Sequence, residues 1–289
     1  MELRLDCGAP RRRGKEGALN LCSASVLGPM PRQYLSAFII ARNEADRIGR
    51  AIDSAASCAD EVVVVDSGSE DDTLAVAEAH GARALFHAWP GYGPQKAFAE
   101  TQCQHDWLLN IDADEEVSAE LAAEIRAALA DGPPQPSAFE MRWKMIHYGG
   151  DAPHPLAPAK SFIRLYDRRR AGFRPSLVHD SVVVREGDVA RLGGLVRHRS
   201  FRSLAHFRDK LNAYADLQAL DMAERGRRPS AMRTLLEPVA AFAKLYLLRR
   251  YFLYGGDGVA MAKAYAGART RRLVKARAMA GAAGDGAAL

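Results

Sequence analysis

Between residues 35 and 130 the chain alternates short apolar runs with stretches of helical periodicity, and that alternation restricts the fold more than any other feature. Glu61-Val62-Val63-Val64-Val65-Asp66 is the extreme case. Four consecutive β-branched residues cannot alternate in and out, so both faces of the strand they predict must be covered, as in a parallel sheet flanked by helices. Leu35 to Ile40 predicts a first strand, Ala84 to His87 a third and Trp107 to Asp112 a fourth. Ile48, Ala51, Ile52, Ala55 and Ala59 recur at helical spacing after the first strand. Asp71 and Asp72 suit a helix start and Gly81 a helix stop. Gln95 to Gln104 predicts a further helix, and Ser118 caps one that Asp131-Gly132-Pro133-Pro134 ends. The result is an α/β fold, a Rossmann-like and mostly parallel sheet with helices on both faces. Ligands of such sheets bind beyond the carboxyl ends of the strands.

After residue 137 the pattern changes. Phe139 to Met145, Phe162 to Tyr166 and Val182 to Val184 read as strands, the first two separated by a loop with Gly149, Gly150, Pro153, Pro155 and Pro158. A loop of that length in a compact domain is often functional. From Ser203 the chain predicts a helical extension: Ser203 to Arg225, Met232 to Tyr254 and Val259 to Met279. Residues 1–33 read as a disordered leader, 34–200 as the main α/β domain and 201–289 as the helical C-terminal region. Charge divides along the same line. Residues 41–120 carry seventeen Asp and Glu against five Lys and Arg, whereas 201–289 carry sixteen Lys and Arg against seven acids. The acidic front half argues against a nucleic-acid partner, and the basic rear half suits an anionic one. Leu235, Leu236, Val239, Phe242 and Leu245 with nearby Arg249 and Arg250 suit a helix lying on a membrane surface, slightly ahead of the other reading, one packed on the main domain. Cys7, Cys22, Cys58 and Cys103 are far apart and form no CxxC pair, which points to a reducing, cytoplasmic compartment.

The chemistry-bearing residues fall at the strand ends. Asp112-Ala113-Asp114 places two carboxylates on one side of an extended chain, where they repel unless a cation or ribose hydroxyls separate them. Mg²⁺ or Mn²⁺ takes one or two carboxylates and completes its shell with phosphate and water. Read otherwise, Asp-Ala-Asp-Glu-Glu is the acidic start of a helix. Asp66, before Ser67-Gly68-Ser69, can accept from a nucleobase or ribose, while Asp71 and Asp72 serve the helix. Asn43 and Glu44 either hydrogen-bond a nucleotide or cap the helix that follows. Lys96, after Gly91-Tyr92-Gly93-Pro94-Gln95, either contacts the nucleotide or balances the acids. No GxGxxG or P-loop is present. The histidines at 147, 154, 198 and 206 are scattered and are given no metal role.

Taken together, Ile39-Ile40-Ala41-Arg42-Asn43-Glu44, Val64-Val65-Asp66-Ser67-Gly68-Ser69, Gly93-Pro94-Gln95-Lys96 and Asn110-Ile111-Asp112-Ala113-Asp114-Glu115 resemble, in order and spacing, the family 2 glycosyltransferases of the GT-A fold. The branch most resembled is that of the lipopolysaccharide-core β-1,4-glucosyltransferase-like proteins, over residues 35 to 275. The resemblance implies an inverting, metal-dependent hexosyltransferase with Mg²⁺ or Mn²⁺ as cofactor. It would move a sugar, glucose in that branch, from a UDP-sugar to a lipopolysaccharide core or related envelope glycolipid, at the inner face of the cytoplasmic membrane. It places Asp66 and Asp112 on the uridine or ribose, Asp114 on the metal, and Asn43, Glu44 and Lys96 along the nucleotide. Asp180, in Val178-His179-Asp180, stands where the family carries its catalytic base, more often Glu; its other reading is a structural partner of His179 or an arginine. The proline-rich Gly149 to Lys160 and the Glu70-Asp71-Asp72 triplet depart from the family pattern. Two other readings are a sugar nucleotidyltransferase, against which the missing glycine-rich loop after strand one counts, and a non-catalytic module that binds nucleotide sugar or membrane.

Overall fold

The computed structural model describes residues 31–174 and 181–285. β1 (Leu35–Ala41), α1 (Ile48–Ala56), β2 (Glu61–Asp66), α2 (Thr73–Ala79), β3 (Arg83–Phe86), α3 (Tyr92–Gln102) and β4 (Trp107–Asn110) follow the alternation of the front half. β1 pairs in parallel with β2 and with β4, and β2 with β3. The valine run explains itself in the packing. Val62 and Val64 join Ile48, Ile52 and the β1 residues Ala37 and Ile39 on one face, while Val63 and Val65 join Phe38, Leu108 and Ala99 of α3 on the other. Each fully buried Val or Ile contributes about 1.5–3 kcal/mol of apolar burial, so this strand anchors both layers.

Beyond β4 the sheet turns mixed. β5 (Glu115–Val117), α4 (Ala119–Ala128), β6 (Ala138–Met145), β7 (Lys160–Asp167), β8 (Ala171–Phe173), β9 (Val182–Val184) and β10 (Val189–His198) follow. The eight-stranded order is β3-β2-β1-β4-β7-β6-β10-β5, and β8 with β9 forms a separate ribbon. β7 runs antiparallel to both β4 and β6; β10 is parallel to β6 and antiparallel to β5. Ser118 caps α4 as expected, its hydroxyl accepting from Leu121 N at 3.2 Å. β10 was not apparent in the sequence because Gly193-Gly194 interrupts its apolar pattern. The register of β10 against β6 shifts between Arg191 and Leu195, and Glu124 of α4 accepts from the amides of Gly193 and Gly194 at 2.7 and 3.1 Å. A Cβ on Gly194 would lie 2.5 Å from the Leu121 Cα, so only glycine lets β10 cross α4 this closely. Gly194→Ala is therefore expected to destabilise the fold by about 1–3 kcal/mol through overpacking against backbone. A lower urea midpoint at unchanged slope would show it.

The rest is helical: α5 (Leu204–Glu224), α6 (Ala231–Ala243) and α7 (Gly255–Asp285). The long helix expected from Met232 to Tyr254 is broken. α6 ends in a π turn at Lys244–Leu248, Arg250 adopts a left-handed conformation (φ 60°), and a 3₁₀ turn spans Tyr251–Tyr254. Phe207, Leu245, Tyr251 and Met261 form a third core that packs on Met145 and Tyr148, and so docks the helices on the end of β6. The proline-containing loop between β6 and β7 is held by Lys144 Nζ on the Pro155 carbonyl (2.7 Å), Arg199 on Gly150 O (2.8 Å) and Arg250 on Leu156 O (3.0 Å).

Candidate active site

The carboxyl edge of the parallel strands opens onto a cleft of about 510 Å³. Glu44, Arg47, Ser67, Asp112, Asp114 and His198 line it, with Trp89 and Tyr92 at one wall and Lys210 of α5 at another. A second cavity of about 470 Å³ adjoins it and shares Asp112 and His198; Glu115, Glu140, Trp143, Arg164, Phe173 and Ser181 line that one.

Asp112 and Asp114 leave the end of β4 in a tight turn, closed by the Glu115 amide donating to Asp112 O at 2.9 Å. The two carboxylates are balanced by different cations. Asp112 sits between Lys96 Nζ at 2.9 Å and Arg164 Nη2 at 3.2 Å. Burial alone would raise its pKa, but the two cations outweigh it and hold the carboxyl well below the usual range. Asp114 meets His198 Nε2 at 3.0 Å and Arg47 Nη1 at 3.8 Å. There too burial acts upward and is overcome, first by the His198 hydrogen bond, so the pKa is lowered. Beneath them Glu115 is fully buried, accepting from Trp143 Nε1 at 2.8 Å, Arg164 Nη2 at 2.7 Å and the Asp112 amide at 3.0 Å. Burial pushes its pKa up despite Arg164. Arg164 thus ties β7 to the Asp112 turn at two carboxylates and at Asn110 Oδ1 (2.6 Å).

The other expected site residues fall around this centre. Glu44 lines the cleft and pairs with Arg47 and, at 3.1 Å, with Arg202. Asn43, in the left-handed region (φ 55°), accepts from the Glu70 amide on its side-chain Oδ1 (2.8 Å) and donates its own amide to Ser69 Oγ (2.8 Å). Asp66 is fully buried; its carboxylate accepts from the amides of Gly68 and Ser69, both at 2.8 Å, and from the Ser69 hydroxyl, while its neighbour Ser67 lines the cleft. Lys96 is only 1% exposed and supports Asp112 from α3, with the Phe173 ring 5.3 Å from its Nζ. Asp180 lies outside the described residues. The structure therefore gathers Glu44, Lys96, Asp112 and Asp114 about one cleft, with Asn43 and Asp66 shaping the turns at its rim.

His198 is the cleft residue that sequence reasoning passed over. It ends β10, lies tilted against Trp143 with ring centroids 4.4 Å apart and is held at its Nδ1 by the Ser200 hydroxyl, leaving Nε2 for Asp114. Among the described residues no cluster of three or more His, Cys, Asp or Glu forms a metal cage. An Asp–His pair nonetheless fits a divalent ion that keeps most of its shell for phosphate oxygens and water, since carboxylate and imidazole are both ligands for such ions. A hydrogen bond to the second ring nitrogen is the usual way such a histidine is oriented.

The model of the Glycosyl transferase family 2 matches residues 36–175. An uncharacterized glycosyltransferase of Rickettsia felis is 40% identical over 254 residues, 85% of this chain and 90% of that protein. A lipopolysaccharide core biosynthesis glycosyltransferase of Rhizobium meliloti is 35% identical over 245 residues, 78% of this chain and 83% of that one. Among solved structures, glucosyl-3-phosphoglycerate synthase from Mycobacterium tuberculosis, in complex with Mn²⁺, UDP and glucosyl-3-phosphoglycerate, aligns at 25% identity with a TM-score of 0.33. That alignment covers 39% of this chain and 44% of the synthase, less than half of either.

Proposed function

We propose, because the chain belongs to glycosyltransferase family 2, that it is an inverting enzyme moving a hexosyl group, glucose by the sequence resemblance, from a UDP-sugar to a lipopolysaccharide core or related envelope glycolipid at the inner face of the cytoplasmic membrane. One observation carries this reading: the Asp112–Asp114 turn and His198, distant in sequence, meet at the sheet edge, where Asp112 and His198 line both of two adjoining cavities and Asp114 pairs with His198 in the first. The larger, with Arg47 and Lys210 on its walls, suits a nucleoside diphosphate. The smaller suits the sugar and its acceptor. The named role of the Rhizobium relative supports the acceptor class. Residues 34–200 form the catalytic unit in this proposal and 201–289 an appended helical region.

Each residue then has a physical task. Asp114 and His198 would hold Mg²⁺ or Mn²⁺, which when bound neutralises the charge developing on the leaving diphosphate. Lys96 and Arg164 keep Asp112 ionised, and so able to accept from ribose hydroxyls whatever the ambient pH above the acid range. Arg47 supplies a fixed positive charge beside Asp114. The acceptor hydroxyl is a poor nucleophile until a carboxylate takes its proton as the new bond forms. Asp180 has this role in the proposal, supported by the placing of its sequence neighbour Ser181 in the smaller cavity. The proton passes to Asp180, the hydroxyl oxygen bonds the anomeric carbon from the face opposite the diphosphate, and UDP departs, inverting the centre.

Asp180→Asn is expected to bind UDP as the wild type does and to transfer sugar about 10²–10⁴-fold more slowly, the usual range for loss of a general base. Calorimetric UDP titration beside a transfer assay tests it. Transfer at wild-type rate by the variant removes Asp180 from the mechanism. Absence of both transfer and donor hydrolysis in the wild type, with UDP binding intact, would instead identify a non-catalytic binding module.

A further inference from the structure

α6 is built inside out. Met232, Leu235, Leu236 and Val239 stand at i, i+3, i+4 and i+7, the spacing of a single apolar face, yet Leu235 and Val239 are 73% and 72% exposed. The residues this helix buries are Ala241 and Glu237, the latter held by Arg269 Nε of α7 at 2.6 Å and flanked by Arg272 at 3.8 Å. The apolar stripe continues into the π turn as exposed Leu247 and Leu248, and behind it an apolar groove of about 750 Å³ opens between α6 and α7, lined by Val239, Phe242, Ala266 and Val274. Water is a poor environment for such a face, and a helix that pairs its acid inward while turning leucines outward is matched to a medium other than water.

Charge says which medium. At the N-terminal end of the stripe lies a cavity of about 510 Å³, lined by Arg227, Arg228, Arg233 and Arg272, that shares no residue with the catalytic cleft. Among the described residues Arg227, Arg228 and Arg233 form no salt bridge, and Arg272 has a buried, unpartnered Nε. Asp221, the acid in this cavity, is already paired with Arg225 at 2.8 Å. Unpaired arginines beside exposed leucines are the complement of an anionic headgroup above acyl chains. No helix among the described residues is long and apolar enough to cross a bilayer.

We infer that the α6 face is an interfacial docking surface for an anionic phospholipid bilayer, with Leu235, Leu236 and Val239 entering the acyl boundary and the Arg227–Arg228–Arg233 cup taking a lipid phosphate. This rests on the membrane part of the proposed function but not on its chemistry. It also gives the helical region a task, since docking by α6 holds the catalytic cleft at the surface where a glycolipid acceptor resides.

The test is flotation of the full chain with vesicles of phosphatidylcholine alone and of phosphatidylcholine with about one third phosphatidylglycerol. Wild type is expected to bind the anionic vesicles and to bind the neutral ones weakly. Arg227→Gln/Arg228→Gln/Arg233→Gln lowers that binding about a hundredfold, at about fivefold per arginine, and Leu235→Asp/Val239→Asp lowers it by at least as much. Both variants change exposed side chains, so they keep the wild-type melting profile and UDP affinity, which separates this proposal from the transferase reading. Equal binding to both vesicle types, wild-type binding by either variant, or a wild-type dimer in solution that Leu235→Asp splits would each overturn it, the last by showing that a second copy covers the face.

Discussion

Asp114→Ala is expected to slow sugar transfer by about 10³-fold and to remove the divalent-cation dependence of nucleotide binding. The magnitude follows from the several kcal/mol that a cation contributes to stabilising a leaving diphosphate, at about 1.4 kcal/mol per tenfold in rate. The geometry explains why no neighbour can substitute. Asp112 is committed to Lys96 and Arg164, and Glu115 is buried beneath the turn with both carboxylate oxygens engaged. His198 would remain as a lone imidazole, too weak a donor set for Mg²⁺ or Mn²⁺. His198→Ala should have a smaller effect in the same direction, because Asp114 keeps its charge. Parallel transfer assays over a Mn²⁺ titration measure both. A rate for Asp114→Ala within tenfold of wild type, still rising with Mn²⁺, would place the cation elsewhere.

The second large effect is expected on stability. Lys96→Met keeps the length and volume of the side chain but removes the buried positive charge that meets Asp112. Removing one partner of a buried pair usually destabilises by about 3–5 kcal/mol, because the other charge is left without compensation. The lower end of that range is expected here, since Arg164 still reaches Asp112 and that carboxyl is partly open to the cleft. The loss should depend on pH with a definite sign. The pKa of Asp112 is lower in the folded protein than unfolded, so the stability it contributes is fully present above the unfolded value of about 3.9 and is lost as pH falls through the lower folded value. The gap between wild type and Lys96→Met should therefore be flat above about pH 5 and narrow below about pH 4. Urea unfolding of both proteins across that range reads it. A gap that stays constant on acidification would mean that Lys96 acts through packing alone.

The half of the sheet that binds the nucleotide in this account was legible because its strands are covered on both faces. A run such as Val62 to Val65 has no other reading, and the strand ends it defines put Glu44, Asp112 and Asp114 in one place. The other half was only partly legible. β5 is acidic on paper, and nothing local announces that Arg164 and Trp143 are waiting to satisfy Glu115. β10 was obscured by the two glycines that let it pass α4, and with β10 unread, His198 stayed one scattered histidine among several. It reaches Asp114 only because the chain returns to the sheet edge some eighty residues later, a contact without local periodicity. Asp66 shows the opposite difficulty. Its position at a strand end suggested a ligand, whereas in the fold its carboxylate closes the Ser67–Ser69 turn. The single long helix read from Met232 to Tyr254 was right in polarity but not in continuity, because the apolar pattern runs on past Arg250, where the backbone turns left-handed.

The proposed chemistry rests on Asp114 and His198 holding the cation that would bridge the diphosphate. Anomalous scattering from crystals of the protein soaked with UDP and Mn²⁺ reads that position directly. The account predicts a single Mn²⁺ peak within about 2.5 Å of both the Asp114 carboxylate and His198 Nε2, with diphosphate oxygens completing its shell. UDP bound in the cleft with no Mn²⁺ peak at that pair, or with the ion held by other residues, would contradict it.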